Sequence, residues 1–198
     1  MILVFGGSFD PVHNGHIAMA DAAQKTKHPE KILWVPSRHA PHKPDMPPAN
    51  AAERVAYLHA VVDQRPGEEV CTLEIQREGL SYTVDTLREL EIQYPGKDFS
   101  FLLGGDSLSH LTTWRDLPEL FRRVSFLFAP RRGWGPESLQ PFRDALPEGL
   151  RTSFRAEFLL MQEVHVSSTE VRTAISKGLL PIDVPAAVVA LLQKSGKA

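Results

Sequence analysis

The sequence predicts an α/β protein built on a parallel sheet with helices on both faces. Three observations carry this prediction: short apolar runs recur along the chain, segments with helical periodicity separate them, and glycines directly follow two of the runs. Strands that alternate with helices form βαβ units, whose ligands bind at the carboxyl ends of the strands. The length of 198 residues and the hydrophobic fraction of 42% fit one domain with a buried core, so we expect a single domain over residues 1–198.

The first half of the chain supplies the clearest elements. Residues 2–5 are an apolar run that ends in Gly6-Gly7, and a helix is predicted from residue 15 to about residue 27. Residues 32–35 predict a second buried strand, and prolines at positions 36, 41, 44, 47 and 48 then favour an extended loop. A helix is predicted near residues 51–63, a strand over residues 70–75 and a helix over residues 83–94.

The second half repeats the pattern. Residues 99–103 predict a strong buried strand that ends in Gly104-Gly105-Asp106, and residues 124–129 predict another. The region 131–155 is rich in Arg, Gly and Pro, and we expect it to be a flexible excursion over the site. Ser167 is followed three residues later by Glu170, which is a capping box that starts a helix ending near Gly178.

Composition excludes several classes of protein. A formal net charge of −2 leaves no broad basic face for a nucleic-acid backbone, so any bound phosphate should belong to a small molecule. One cysteine, Cys71, cannot form an internal disulfide, and the apolar start is too short for a signal peptide or a membrane span. We therefore expect a cytoplasmic protein without nucleic-acid or membrane partners, and the sequence leaves a homo-oligomer open.

The densest chemistry lies in the segment GGSFDPVHNGH, residues 6–16. Gly6 and Gly7 let the backbone approach a ligand closely, and the following helix points unpaired N–H groups at the same place. His13 and His16 add ring N–H donors, so the segment favours an anion site. It is neither a dinucleotide fingerprint nor a phosphate loop of the G-x-x-x-x-G-K-[ST] type. A hydrogen-bonded pair at a helix start would also explain the two histidines, and a metal site would need a third ligand that the usual zinc spacings do not supply.

Further polar groups follow other predicted elements. Asp106 comes after a strand, where a carboxylate can accept from two ribose hydroxyls or cap the next helix. Arg172 lies in the first turns of the helix started by Ser167, so that helix start is a second anion cradle or a simple cap with a surface arginine. Lys43 is a point charge on the proline-stiffened loop, suited to following a triphosphate, although a surface lysine would look the same.

Five blocks in order resemble the bacterial nicotinate mononucleotide adenylyltransferase family of the H-x-G-H nucleotidyltransferase superfamily. They are the segment 6–16, then VPS with APHK at 35–43, SYTVDTL at 81–87, LGGDSL at 103–108 leading to Trp114, and VSSTEVR at 166–172. Ala40, Gly105 and Val166 depart from the residues common in the family, and none of these departures removes a polar group. The resemblance implies a Rossmann-like nucleotidyltransferase fold.

The resemblance also implies an activity: transfer of AMP from ATP to nicotinate mononucleotide, with Mg²⁺ carried by the ATP phosphates, as a step towards NAD. It implies that His16, Lys43 and Arg172 are catalytic and that no protein residue holds the metal. The residues implied for ATP and phosphate binding are Gly6, Gly7, Ser8, Phe9, His13, His16, Lys43, Gly104, Asp106, Ser167, Ser168, Thr169 and Arg172. Those implied for the nicotinate are Trp114 by stacking, the Thr86 hydroxyl and the Arg115 N–H by hydrogen bonds, and Tyr82 in a supporting role.

Two alternatives stay open from the sequence. A sister adenylyltransferase would use nicotinamide mononucleotide or another phosphorylated acceptor such as phosphopantetheine. A metal-dependent hydrolase or a nucleotide sensor would use His13 and His16 as ligands.

Overall fold

A parallel sheet runs through the part of the chain that the computed structural model describes, residues 1–41, 50–180 and 182–196. Its strands are β1 (Ile2–Gly7), β2 (Lys31–Pro36), β3 (Glu68–Val70), β4 (Phe99–Gly104), β5 (Val124–Ala129) and β6 (Ala156–Phe158). Their spatial order is β3-β2-β1-β4-β5-β6, and every pair is parallel. From β1, the strands β2 and β3 are added on one side and the strands β4, β5 and β6 on the other. The strand order therefore switches between β1 and β4, which is where ligands bind in sheets of this order.

Helices cover both faces of the sheet, as the sequence predicts. They are α1 (Asn14–Lys27), α2 (Ala51–Val62), α3 (Leu73–Gln76), α4 (Thr83–Gln93), α5 (Leu117–Arg123), α6 (Leu139–Ala145), α7 (Glu148–Arg151), α8 (Ser168–Ser176) and α9 (Ala186–Lys194). Alternate residues of β1 enter opposite cores: Ile2 and Val4 pack on the face of α4 and α5, whereas Leu3 and Phe5 pack on the face of α1, α2 and α9. A buried strand with both faces covered reads as a continuous apolar run, which explains why β1, β2, β4 and β5 could be predicted.

The strand predicted over residues 70–75 is wrong beyond Val70, because β3 spans Glu68–Val70. β3 ends at Val70, because the Cys71 N–H makes the last bond to β2, at the Trp34 carbonyl (2.9 Å). Two residues further along β2 lies Pro36, which has no N–H to continue a ladder. The chain turns instead into α3, and this turn buries both Leu73 and Glu74.

The flexible excursion expected over residues 131–155 is also wrong. This region contains α6 and α7, and its Leu146 and Phe154 are each 1% exposed within the core. The Phe154 ring lies 4.9 Å from that of Phe121 in α5. Scattered apolar residues thus anchor a region whose Arg, Gly and Pro content resembles that of a loop.

Candidate active site

Two adjoining cavities open at the carboxyl ends of β1 and β4. The histidine cavity, with a volume of about 730 Å³, is lined by the segment 5–11 together with the histidines, the end of β4 and the start of α8. The tryptophan cavity, with a volume of about 220 Å³, is lined by the loop after β2, the start of α4 and the segment around Trp114. The two share Gly6, Gly7, Ser8, Leu103 and Ser107.

The loop after β1 forms the floor between the cavities. The Gly7 carbonyl accepts from the Ser37 N–H (2.9 Å), and the Ser8 carbonyl accepts from Arg54 Nη1 (2.7 Å). Phe9 has φ 48, a left-handed conformation that bulky side chains rarely adopt, so the surrounding contacts must hold it. Its buried ring packs edge-on against Phe5 (5.3 Å between centroids) and against His16 (5.0 Å).

The two histidines stack at the start of α1, with 3.7 Å between their ring centroids. The His13 backbone N–H donates to His16 Nδ1 (3.2 Å), so a neutral His16 carries its proton on Nε2 and can donate from there. His13 is 2% exposed, and its Nδ1 has no hydrogen-bond partner within the described residues. Burial, and then the positive charge of Arg131, lower the pKa of His13 to about 4. His13 is therefore neutral near pH 7.

The start of α8 closes the far side of the histidine cavity. Arg172 Nη1 donates to the Asp10 carbonyl (2.9 Å), and its Nη2 donates to Thr169 Oγ1 (3.2 Å). The predicted capping box is confirmed, since the Ser167 hydroxyl accepts from the Glu170 N–H (3.2 Å) and the Ser167 N–H donates to Glu170 Oε2 (2.8 Å). The helix start and the loop after β1 thus meet around one space.

Most of the predicted phosphate-binding residues lie together. The histidine cavity is lined by Gly6, Gly7, Ser8, Phe9, His13, His16, Gly104, Asp106, Ser167, Ser168, Thr169 and Arg172. Lys43 lies outside the described residues. No group of three or more His, Cys, Asp or Glu side chains able to hold a metal occurs in the described ranges.

The predicted nicotinate residues divide into two groups. Trp114, Arg115 and Tyr82 line the tryptophan cavity, where the Arg115 guanidinium lies over the Tyr82 ring (4.9 Å). The Thr86 hydroxyl does not reach this cavity: it is fully buried and donates to Glu74 Oε1 (2.6 Å) while accepting from Arg77 Nη2 (3.0 Å). The Thr86 hydroxyl is thus already hydrogen-bonded within the protein. The expectation that this hydroxyl binds the nicotinate has to be corrected.

Sequence reasoning missed four residues that shape the two cavities. Arg131 lies two residues after the end of β5, a position at the ligand edge of the sheet that could have identified it. Its Nη1 donates to the Val166 carbonyl (2.8 Å), and its Nε lies 3.6 Å from Asp106 Oδ1. Arg54 interrupts the apolar face that Tyr57 and Leu58 continue, and Thr83 and Glu74 line the tryptophan cavity.

Glu74 is a buried carboxyl in the wall of the tryptophan cavity, 8% exposed. Burial raises its pKa, while hydrogen bonds from Thr86 and Ser81 and the charge of Arg77 oppose that rise. The Ser81 hydroxyl in turn accepts from the Arg38 N–H (3.0 Å). Glu74 therefore connects the start of α4 with the loop after β2, which together enclose the cavity.

Comparison with known proteins agrees with this geometry. The cytidylyltransferase-like family matches residues 4–174. A protein of Gloeobacter violaceus named probable nicotinate-nucleotide adenylyltransferase is 36% identical over 98% of this chain and 93% of its own, and one of the same name from Moorella thermoacetica is 35% identical over 90% and 84%. The structure of Plasmodium falciparum nicotinic acid mononucleotide adenylyltransferase complexed with NaAD superposes with a TM-score of 0.73 at 17% identity, over 98% of this chain and 95% of that one, which shows the shared fold. This chain belongs to the nicotinate-nucleotide adenylyltransferase family of Rossmann-like nucleotidyltransferases.

Proposed function

We propose that this protein transfers the AMP part of ATP to nicotinate mononucleotide, which gives nicotinate adenine dinucleotide and pyrophosphate. The observation that carries the proposal is the junction of the two cavities. They share the glycine loop after β1 and the end of β4, so ligands in the two cavities would meet over Gly7 and Ser8. The histidine cavity is rich in hydrogen-bond donors, as a triphosphate requires. The tryptophan cavity is small and aromatic, as a pyridine ring requires.

The histidine cavity suits ATP. The Nε2–H of His16, the N–H groups of Ser8 and Phe9, and the Arg172 guanidinium can donate to phosphate oxygens. Asp106 lies beyond the end of β4, where a ribose hydroxyl could donate to its carboxylate. Lys43, on the loop after β2, remains a predicted partner of the triphosphate.

The chemistry needs positioned charge rather than a strong base. An oxygen of the acceptor's phosphate monoester attacks the α-phosphorus of ATP, and the bond from that phosphorus to the β-bridging oxygen breaks as pyrophosphate leaves. The nucleophile is already anionic near neutral pH, so no protein base has to deprotonate it and no covalent enzyme intermediate is required. The barrier comes from repulsion between the two anions. His16, Arg172 and the N–H groups of the loop reduce this repulsion because they are already positioned to donate hydrogen bonds to the phosphate oxygens.

The donor set of the histidine cavity fits a metal that enters with the nucleotide. Most lining polar groups are donors, which bind phosphate oxygens, and the carboxylates of Asp10 and Asp106 are the anionic groups at its edge. We propose that ATP brings Mg²⁺, which neutralises charge on the leaving pyrophosphate. Asp10 and Asp106 are the residues that could face it through water.

The tryptophan cavity suits the pyridine ring of the acceptor. Trp114 offers a stacking surface, with Tyr82 beside it. The first N–H groups of α4 have no intrahelical acceptor, and α4 has no side-chain cap, so the Thr83 N–H can donate to a carboxylate on the ring. The Arg115 N–H remains the second predicted donor. These backbone groups take the place that the sequence assigned to the Thr86 hydroxyl.

The acceptor is tested by pyrophosphate release with ATP, Mg²⁺ and one of three acceptors: nicotinate mononucleotide, its amide counterpart or phosphopantetheine. A carboxylate accepts from both N–H donors, whereas an amide presents its own NH₂ to one of them. One mispaired buried contact costs about 1 to 3 kcal/mol, so kcat/KM should favour the acid by about ten to a few hundredfold. Equal values or an amide preference would contradict the carboxylate site, and phosphopantetheine as the best acceptor would refute the proposal.

Other features accompany this proposal. We infer that residues 1–198 form one nucleotidyltransferase domain. No helix within residues 1–41, 50–180 and 182–196 is long and apolar enough to cross a membrane. The cytoplasmic location, the lack of nucleic-acid binding and the oligomeric state stay predictions.

A further inference from the structure

A buried arginine lies beneath the glycine loop of the active site. Arg54, in α2, is 1% exposed and does not line the histidine cavity, whereas Tyr57, one turn later, does. Burying a cation is costly unless polar groups surround it, so its position calls for a specific role. Burial lowers the pKa of its guanidinium, and the nearby negative charge of Asp10 opposes this. Arginine stays protonated despite such an effect.

Arg54 fixes the direction of one peptide group. Its Nη1 donates to the Ser8 carbonyl at 2.7 Å. In a planar trans peptide the C=O and the following N–H point in opposite directions, so the Phe9 N–H must point away from Arg54. Because Arg54 lies behind the loop while Ser8 and Phe9 line the cavity, this N–H faces the cavity side.

The preceding peptide is held in the same way. The Ser37 N–H donates to the Gly7 carbonyl (2.9 Å), which turns the Ser8 N–H in the opposite direction. Neither the Ser8 nor the Phe9 N–H has an intramolecular acceptor in the part of the chain that the structure describes. Two successive N–H groups are therefore left free for a ligand's acceptor atoms.

The backbone at Phe9 would not keep this orientation unaided. Its φ of 48 is an unfavourable conformation for a bulky side chain. The Phe9 ring fills the space beside Gly7, where an added Cβ would lie 3.1 Å from the ring. Packing thus holds the side chain, and Arg54 holds the peptide group.

We propose that Arg54 is a positioning residue for nucleotide binding: by holding the Ser8 carbonyl from below, it aims the Phe9 N–H at a phosphate of the nucleotide. Its charge also polarises that peptide group, which strengthens the N–H as a donor. The role deepens the proposed adenylyl transfer but concerns only the polyphosphate. It therefore can be tested without the acceptor nucleotide.

The test compares Arg54→Met with Arg65→Met. Arg65 follows α2, has a side chain that is 22% exposed, and forms ion pairs with Asp21 and with Glu68 (2.8 Å), away from the glycine loop. Both variants lose a guanidinium, and thermal unfolding records the loss of stability in each. Isothermal titration with inorganic tripolyphosphate should show at least tenfold weaker binding for Arg54→Met than for Arg65→Met. The kcat/KM for ATP should fall by about a hundredfold, as for one misplaced preorganised donor, with the KM for the acceptor little changed.

Affinity for tripolyphosphate within threefold of the control, in folded Arg54→Met, would overturn the proposal. If Arg54→Met does not fold, Arg54→Lys keeps the cation but loses the planar fork, and it should bind tripolyphosphate about three- to tenfold more weakly than the wild type. A wild-type measurement is independent of any variant. The Phe9 amide proton should shift downfield and exchange more slowly when tripolyphosphate is added, and an unchanged Phe9 amide would refute the inference even if adenylyl transfer is established.

Discussion

His13 should make the stability of the fold depend on pH. Its ring is buried, its Nδ1 has no hydrogen-bond partner among the described residues, and its pKa is about 4 in the folded protein against about 6.5 when unfolded. A lowered folded-state pKa means that the unfolded chain binds a proton first as pH falls. Stability is therefore fully present above about pH 6.5 and is lost between about pH 6.5 and pH 4.

The magnitude follows from the two pKa values. The full separation corresponds to about 3 kcal/mol, because each pKa unit is worth about 1.36 kcal/mol. At pH 5 the unfolded His13 is mostly protonated and the folded one mostly neutral, so about 2 kcal/mol should already be lost relative to pH 8. A loss of that size is a large fraction of the stability of an ordinary domain.

Urea unfolding of the wild type and of His13→Leu, at several pH values from 8 to 5, measures this effect. Leucine is of similar size and cannot titrate, so the variant should lose about 2 kcal/mol less than the wild type over that range. His59→Gln serves as the control, because His59 is exposed and pairs with Asp63 on the surface. Parallel curves for the wild type and His13→Leu would show that His13 does not resist protonation.

Adding tripolyphosphate should raise the pKa of His13 and draw a proton from the buffer near pH 6, which titration calorimetry in two buffers detects.

Two further predictions concern packing and stacking. Gly15→Ala would place a Cβ 2.6 Å from Val166 Cγ1 and 2.7 Å from Val164 Cγ1, so chemical denaturation should show that the free energy of unfolding falls by about 1 to 3 kcal/mol. The control is Gly149→Ala, whose added methyl group meets open space and should leave the free energy of unfolding almost unchanged. Equal losses in the two variants would show that the start of α1 tolerates a methyl group. Trp114→Ala should raise the KM of both the acid and the amide acceptor by about tenfold or more, since a lost aromatic stack is worth about 1 to 3 kcal/mol. The KM for ATP should stay within about twofold, and an effect on ATP instead would remove Trp114 from the acceptor site.

Local chemistry made much of the site predictable. Gly6, Gly7, His13 and His16 are close in sequence, and a strand followed by a glycine turn and a helix brings them together whatever the rest of the chain does. The capping box at Ser167 is local in the same sense. The strands were predictable because a parallel strand that is covered on both faces has apolar residues at almost every position.

Contacts over long sequence separations were not predictable. Thr86 and Thr83 are three residues apart on α4, and the sequence does not show which of them reaches the cavity. The answer depends on Glu74, twelve residues from Thr86. The carboxyl of Glu74 accepts a hydrogen bond from the Thr86 hydroxyl. Arg54 is 46 residues from the carbonyl it holds, so no local pattern could assign its partner.

Three arginines around the glycine loop are held in the same way. Arg54, Arg131 and Arg172 each donate to a main-chain carbonyl, those of Ser8, Val166 and Asp10. Three arginines further from that loop, Arg77, Arg88 and Arg123, instead pair with carboxylates. A carbonyl fixes a guanidinium without cancelling its charge, whereas a carboxylate neutralises it. Even Arg131, which also lies 3.6 Å from Asp106, keeps its shorter bond to a carbonyl. A guanidinium held by one N–H has further donors to offer in fixed directions, which an ammonium lacks. This arrangement keeps positive potential available where a triphosphate has to be bound and two anions have to approach each other.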